Sequence, residues 1–143
     1  MIEPRYLIPK TKSVERTVFT EDYVKGKDIL HIGIGGAIHD KKLKKEFLST
    51  DISNWFHSRI SNKANSIVTI ELEQDNIDKF KENIPGVYIK GDITSSNIVD
   101  TISKKFDLII FTEIIEHLDC NRAALQNIKS LLHPKGQVLI STI

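Results

Sequence analysis

The stretch Lys27-Asp28-Ile29-Leu30-His31-Ile32-Gly33-Ile34-Gly35-Gly36-Ala37 decides how the rest of the chain is read. It begins as a short apolar run and breaks into glycines, the pattern of a buried strand handing over to a loop whose backbone comes close to something else. A ligand is one such neighbour. A tight strand-to-helix turn without a ligand is the other, and the segments around it carry the decision.

Upstream, residues 1–12 hold Pro4 and Pro9 and show no sustained period, which reads as an extended arm. Residues 13–24 suit a short helix with Val18, Phe19 and Tyr23 near one side, ended by Gly26 before a strand starts around Asp28. Downstream, Asp40-Lys41-Lys42-Leu43-Lys44-Lys45-Glu46-Phe47 reads as a solvated basic helix face, because its lysines lack the interleaved aromatics of a nucleic-acid surface. Phe56, Ile60 and Ala64 then recur at intervals of four beside Trp55, an amphipathic helix with Ser53 as its expected N-cap.

A second β-branched run, Ser66-Ile67-Val68-Thr69-Ile70-Glu71, precedes a helix expected to be capped at Asp75, with Ile77, Phe80 and Ile84 on one side. Pro85-Gly86 breaks it. Val87-Tyr88-Ile89-Lys90 is a third strand ending in Gly91-Asp92, and residues 96–104 bring Ile98, Val99 and Ile102 to one helix face. Residues 106–111 form an apolar strand ending in Thr112-Glu113, and residues 121–132 set Leu125, Ile128, Leu131 and Leu132 on a helix. Pro134-Lys135-Gly136 then turns the chain into a last strand over 137–142.

Five strands alternating with helices, several apolar on both faces, predict an α/β fold with a mainly parallel sheet covered by helices on both sides. At 143 residues the chain has room for one domain, whose first 24 residues are an arm and a short helix. With 20 Lys+Arg against 19 Asp+Glu the net charge is +1, so the balance makes no electrostatic case for nucleic acid or an anionic membrane. The single cysteine, Cys120, cannot form an internal disulfide. No charged-then-apolar leader begins at Met1, and no apolar run approaches the roughly 20 residues that span a bilayer. A reduced, cytoplasmic protein is the expectation.

Right-handed crossovers place all strand carboxyl ends on one sheet edge, where ligands of such sheets bind. Gly35, Glu71, Asp92 and Thr112-Glu113 fall there. An ionised Glu71 facing a glycine loop can accept two hydrogen bonds at once and suits the hydroxyl pair of a ribose; its bland reading is a solvated carboxylate in an acidic turn. Asp92 is placed to meet an adenine amino group, or serves as a turn residue.

From residue 28 to 142 the chain resembles the class I S-adenosylmethionine-dependent methyltransferases. Residues 29–37 look like their glycine-rich first motif, and Ile67 to Glu71 like their second strand. Gly91-Asp92-Ile93 looks like the adenine-contacting turn. Most specific are Phe106-Asp107-Leu108-Ile109-Ile110-Phe111-Thr112-Glu113-Ile114-Ile115-Glu116-His117-Leu118 and Leu131-Leu132-His133-Pro134-Lys135-Gly136-Gln137-Val138-Leu139-Ile140-Ser141-Thr142, which resemble the fourth strand, its helix and the fifth strand. The resemblance implies a Rossmann-like three-layer sandwich and S-adenosylmethionine as cofactor. It implies that His31, Gly33 and Gly35 lie at the methionine end, that Glu71 takes the ribose hydroxyls, and that Leu72, Asp92 and Ile93 meet the adenine. Thr112 lies at the end of the fourth strand. In such enzymes the sulfonium brings an activated methyl group, and the protein aligns an acceptor with it.

Three departures from the family accompany the resemblance. His31 stands where an acid usually helps to anchor the methionine ammonium, and Ala37 replaces a third glycine. About 36 residues separate Gly35 from Glu71, against roughly 20 in dinucleotide folds, which predicts an extra helix near residues 41–50. The usual last two strands are lacking, so the fifth strand is expected to be an exposed edge, the edge of a truncated protein, or the seat of an oligomer or partner chain.

His117 is the acid–base candidate, with a surface or packing role as its alternative. Glu113-x-x-Glu116-His117 resembles the set with which some O-methyltransferases hold a divalent cation, and these positions would share a helix face. A nicotinamide oxidoreductase would want glycine at Ile38. The main alternative is a catalytically degenerate, methyltransferase-like accessory subunit. The methyl acceptor is not legible.

Overall fold

A computed structural model describes residues 15–35 and 41–142. The arm over residues 1–12, and Gly36, Ala37 and Ile38 of the glycine loop, lie outside the described residues. In chain order the elements are α1 (Arg16–Tyr23), β1 (Asp28–Ile32), α2 (Lys41–Ser49), α3 (Phe56–Ser61), β2 (Ser66–Glu71) and α4 (Gln74–Lys81). They continue with β3 (Val87–Lys90), α5 (Ile98–Ile102), β4 (Phe106–Thr112), a 3-10 turn (Ile115–His117), α6 (Asn121–Leu131) and β5 (Leu132–Ser141).

The strands form one five-stranded sheet in the order β3-β2-β1-β4-β5, every pair parallel. The order reverses at β1, whose neighbours are β2 and β4. Crossovers leave β1 in opposite senses there, opening a crevice beyond its carboxyl end. This is the Rossmann-like α/β arrangement that the alternation predicts.

The central strands are apolar on both faces because helices cover both. On one face Ile29, Ile67, Leu108 and Ile110 pack with Val24 and Ile60 beside α1 and within α3. On the other, Leu30, Ile32, Val68, Ile70 and Ile109 pack under Ile98 and Ile102 of α5 and Ala124, Ile128 and Leu131 of α6. A third cluster, Ile52, Phe80 and Ile84, joins α4 to Trp55 and Tyr88. Burying a side chain such as Phe80 or Phe106 contributes about 1.5–3 kcal/mol, so these layers hold the sheet and fix which residues reach its edge.

Several helix ends differ from the sequence expectation. Helix α3 starts at Phe56 with no side-chain cap, because Ser53 bonds the Asp51 carboxylate instead. Helix α4 starts at Gln74 after Glu73, and Asp75 lies in its first turn, paired with Lys44 of α2 at 2.8 Å. Helix α5 is shorter than residues 96–104, ending at Ser103 with φ 49°. The expected extra helix is α2, with Lys42, Leu43, Lys45 and Glu46 exposed.

Strand β5 begins earlier than residue 137. Leu132 pairs with Phe106, Gln137 pairs with Leu108, and the register slips between them. Pro134 has no N–H to give a ladder, and a Cβ on Gly136 would lie 2.7 Å from the Phe106 carbonyl oxygen, so the turn residues run as a bulge against β4. Among the described residues the far edge of β5 has no strand partner.

Candidate functional site

The glycine turn closes β1 against β2. Gly33 has φ 72°, a conformation that side-chain-bearing residues adopt only with strain, and its N–H donates to the Ile70 carbonyl at 2.9 Å. The next N–H, of Ile34, donates to Glu71 Oε2 at 2.8 Å, and the Glu73 N–H donates to Oε1 at 3.0 Å. Glu71 is buried, so its carboxylate is held by two backbone donors rather than by water. The Gly91 N–H donates to the Glu71 carbonyl at 3.0 Å, adding the exit of β3 to the same unit. Gly35 lies under Asn76 at the start of α4; a Cβ there would come within 2.5 Å of the amide nitrogen.

Beside this unit, at the ends of β1 and β4, lies a cavity of about 250 Å³. Gly33, Ile34, Thr112 and Ile114 line it together with Trp55, Phe56, Arg16 and Glu113. Glu113, at φ 55°, accepts from Arg16 Nη1 at 2.9 Å and from Ser141 Oγ at 2.7 Å, which joins α1, the β4 exit and β5. The Arg16 guanidinium also sits 5.4 Å from the Phe56 ring centroid.

The remaining lining is a pair of buried histidines. His31 of β1 and His57 of α3 approach Nδ1 to Nδ1 at 2.8 Å, with rings stacked at 5.1 Å. His57 Nε2 lies 3.1 Å from the Tyr88 hydroxyl, which donates to the Ile84 carbonyl at 3.1 Å. Burial drives the His31 pKa well below 6.5, with repulsion from His57 adding to it, and burial brings His57 down to about 4. Both rings are therefore neutral at pH 7. Burial also pushes Tyr88 up to about 12. In register with His31 on β2, Thr69 Oγ1 is buried with no hydrogen-bond partner among the described residues.

The sequence-derived candidates fall into two neighbouring groups. His31, Gly33 and Thr112 line the cavity. Gly35, Glu71, Leu72 and Asp92 belong to the glycine turn and the β2 and β3 exits. Leu72 is 59% exposed, an apolar side chain left open beside a buried carboxylate. Asp92 is half-buried; its Oδ1 accepts from the Thr94 N–H and hydroxyl at 2.7 and 2.8 Å, and Oδ2 has no partner among the described residues. Ile93 follows Asp92, with its side chain buried in the core under α5 and α6.

His117 is exposed and does not line the cavity. The expected helix face carrying Glu113, Glu116 and His117 does not form. The positive φ of Glu113 interrupts the chain, a single 3-10 turn follows, and α6 begins only at Asn121. Among the described residues no group of three or more His, Cys, Asp or Glu could hold a metal ion. Sequence reading missed Arg16, His57 and Tyr88. Phe56-His57 on an apolar helix face was the available signal for one of them, since a buried histidine requires a partner.

A family model described as a methyltransferase domain matches residues 12–143. The solved structure of TehB from Haemophilus influenzae is similar at a TM-score of 0.60 and 18% identity, covering 91% of this chain and 41% of that one. N-methyltransferase NodS from Bradyrhizobium japonicum WM9, solved in complex with S-adenosyl-L-homocysteine, gives 0.63 at 17% identity, covering 87% of this chain and 57% of that one. An S-adenosylmethionine-dependent methyltransferase from Clostridium acetobutylicum gives 0.59 at 15%, covering 87% and 47%. No curated protein sequence matches. The chain thus spans between 41% and 57% of the lengths of these three proteins, and at such identities the likeness is one of fold. With nearly its whole length matched by the family model, the chain belongs to the class I methyltransferase-domain family.

Proposed function

We propose that the chain is a single S-adenosylmethionine-binding domain of a methyltransferase whose acceptor is unidentified. The observation that carries this reading is the clamp from Ile34 N–H to the buried Glu71 carboxylate, which fuses the glycine turn and the β2 acid into one rigid cradle. Each Glu71 oxygen accepts one backbone N–H and keeps a second lone pair, so the carboxylate can still receive two ribose hydroxyls. Exposed Leu72 offers an apolar face to an adenine, and the free Asp92 Oδ2 an acceptor for its amino group. The Ile93 backbone N–H would complete that edge. Gly33 and Gly35 would bring backbone against the methionine part, whose amino-acid end enters the cavity lined by His31 and Thr112.

When bound, such a cofactor supplies a methyl group already activated on a sulfonium, so the protein's task is orientation. Arg16 and Glu113, both among the cavity's lining residues, are joined there by their ion pair at 2.9 Å. His117, on the turn beyond β4, is the candidate acid–base group for an acceptor docked over that turn. A second reading, an accessory subunit without catalysis, is favoured by one observation: the neutral His31–His57 pair stands where the family resemblance expects an acid.

The edge of β5, with Val138 and Ile140 exposed, suits further chain, a second copy or a partner. A cytoplasmic location accords with the lone Cys120; no described helix is long and apolar enough to cross a membrane. Calorimetric titration with S-adenosylhomocysteine tests the reading. Micromolar binding that Glu71→Ala weakens at least about tenfold is expected, and absence of binding, or indifference to Glu71→Ala, would overturn it.

A further inference from the structure

One assignment of protons satisfies every hydrogen bond around His31, that of the Ile84 carbonyl included. The Tyr88 hydroxyl has one proton, and it goes to the Ile84 carbonyl, which can only accept. The Tyr88 oxygen must then accept from His57 Nε2, so His57 carries its proton on Nε2 and leaves Nδ1 bare. A bare Nδ1 on His57 requires His31 to donate from its own Nδ1. His31 therefore has no proton on Nε2, and that nitrogen has no protein partner among the described residues, while His31 lines the cavity.

We propose that His57 and Tyr88 are positioning residues that lock His31 as its Nδ1–H tautomer. The bare Nε2 then faces the cavity and selects a ligand group that donates a hydrogen bond, an amine, ammonium or hydroxyl. His31 is thus a neutral acceptor. Burial among Phe56, His57 and the sheet opposes a positive charge there, so it binds a donor without taking up its proton. A donor-less or anionic group in the same place would face a lone pair and be rejected. The identity of that donor as the amino group of a cofactor's amino-acid end rests on the proposed function; the tautomer does not.

Nitrogen-15 NMR of the histidine rings in the full chain reads the lock directly. His31 is expected to show a protonated Nδ1 and a bare Nε2, with His57 the reverse. Tyr88→Phe removes the acceptor that orients His57, so protonated Nε2 should appear on His31. Affinity for S-adenosylhomocysteine should then fall about tenfold, while affinity for 5′-methylthioadenosine, which lacks the amino-acid end, stays the same. A protonated His31 Nε2 in the unaltered chain, or ring signals indifferent to Tyr88→Phe, overturns the relay. Unchanged S-adenosylhomocysteine affinity with a reversed tautomer overturns the selection. If neither nucleoside binds the unaltered chain, the proposed function falls, and the ring signals still decide the relay.

Discussion

Lowering the pH from 7 to 5 should remove about 2 kcal/mol or more of folding stability through the buried histidine pair. His57 is held neutral, its pKa brought from 6.5 to about 4 by burial. Its folded pKa lies below its unfolded one, so between those values the unfolded chain binds a proton that the folded chain refuses. The resulting stability is complete above about pH 6.5 and is lost as pH falls. At pH 5 the medium is about one and a half units below the unfolded pKa, and at about 1.36 kcal/mol per unit the loss is roughly 2 kcal/mol. His31, shifted in the same direction by burial and by His57, adds to this.

The carboxylates Glu15, Asp22, Asp28 and Asp51 have lowered pKa values, so their contributions are lost mainly below pH 5. Tyr88, whose hydroxyl lies 3.1 Å from His57 Nε2, is pushed up to about 12 by burial and keeps its proton across the window. Urea denaturation followed by far-ultraviolet circular dichroism at pH 7 and pH 5, at fixed ionic strength, measures the difference. His57→Leu should flatten the dependence. Equal stability at the two pH values, or an unchanged slope in His57→Leu, would refute the reasoning.

Gly33→Ala should destabilise by about 1–3 kcal/mol in urea denaturation, because φ 72° strains an alanine and its Cβ would press on Ile114; a change below about 0.5 kcal/mol would contradict it. Thr69→Val replaces a buried hydroxyl that has no partner among the described residues with a methyl of similar size, and should leave stability unchanged or raise it by up to about 1 kcal/mol. A loss larger than about 1 kcal/mol would mean that the hydroxyl has a partner. The 143-residue chain should self-associate at high concentration through the β5 edge, and Val138→Lys with Ile140→Lys should reduce this in sedimentation velocity; equal sedimentation of both proteins would count against an adhesive edge.

The sheet was legible because its information is local and redundant. Leu108 to Phe111 is apolar at every position and Ile67 to Ile70 at all but Thr69, which a sheet covered on both faces accommodates, and the two runs give way to Thr112-Glu113 and Glu71. Glu71 was legible from its register past a strand facing a glycine turn. Helix starts were less so, since Ser53 and Asp75 are good caps whose side chains were drawn to Asp51 and Lys44 instead. The pairing of the two histidines was not legible. His31 and His57 are 26 residues apart on a strand and a helix, and only the packing of α3 across β1 and beside Tyr88 makes them a unit. Glu113 likewise gave no sign that its backbone would turn left-handed and break the expected helix.

The central claim is that the glycine turn and the β2 and β3 exits form one nucleoside-binding edge. Backbone amide NMR during titration with S-adenosylhomocysteine tests it most directly. The account expects saturable shifts concentrated at Gly33, Ile34, Gly35, Leu72 and Ile93, with Asn65, Ser66 and Asp107 at the opposite end of the sheet unmoved. Shifts centred on the opposite end, or none at millimolar ligand, would contradict it.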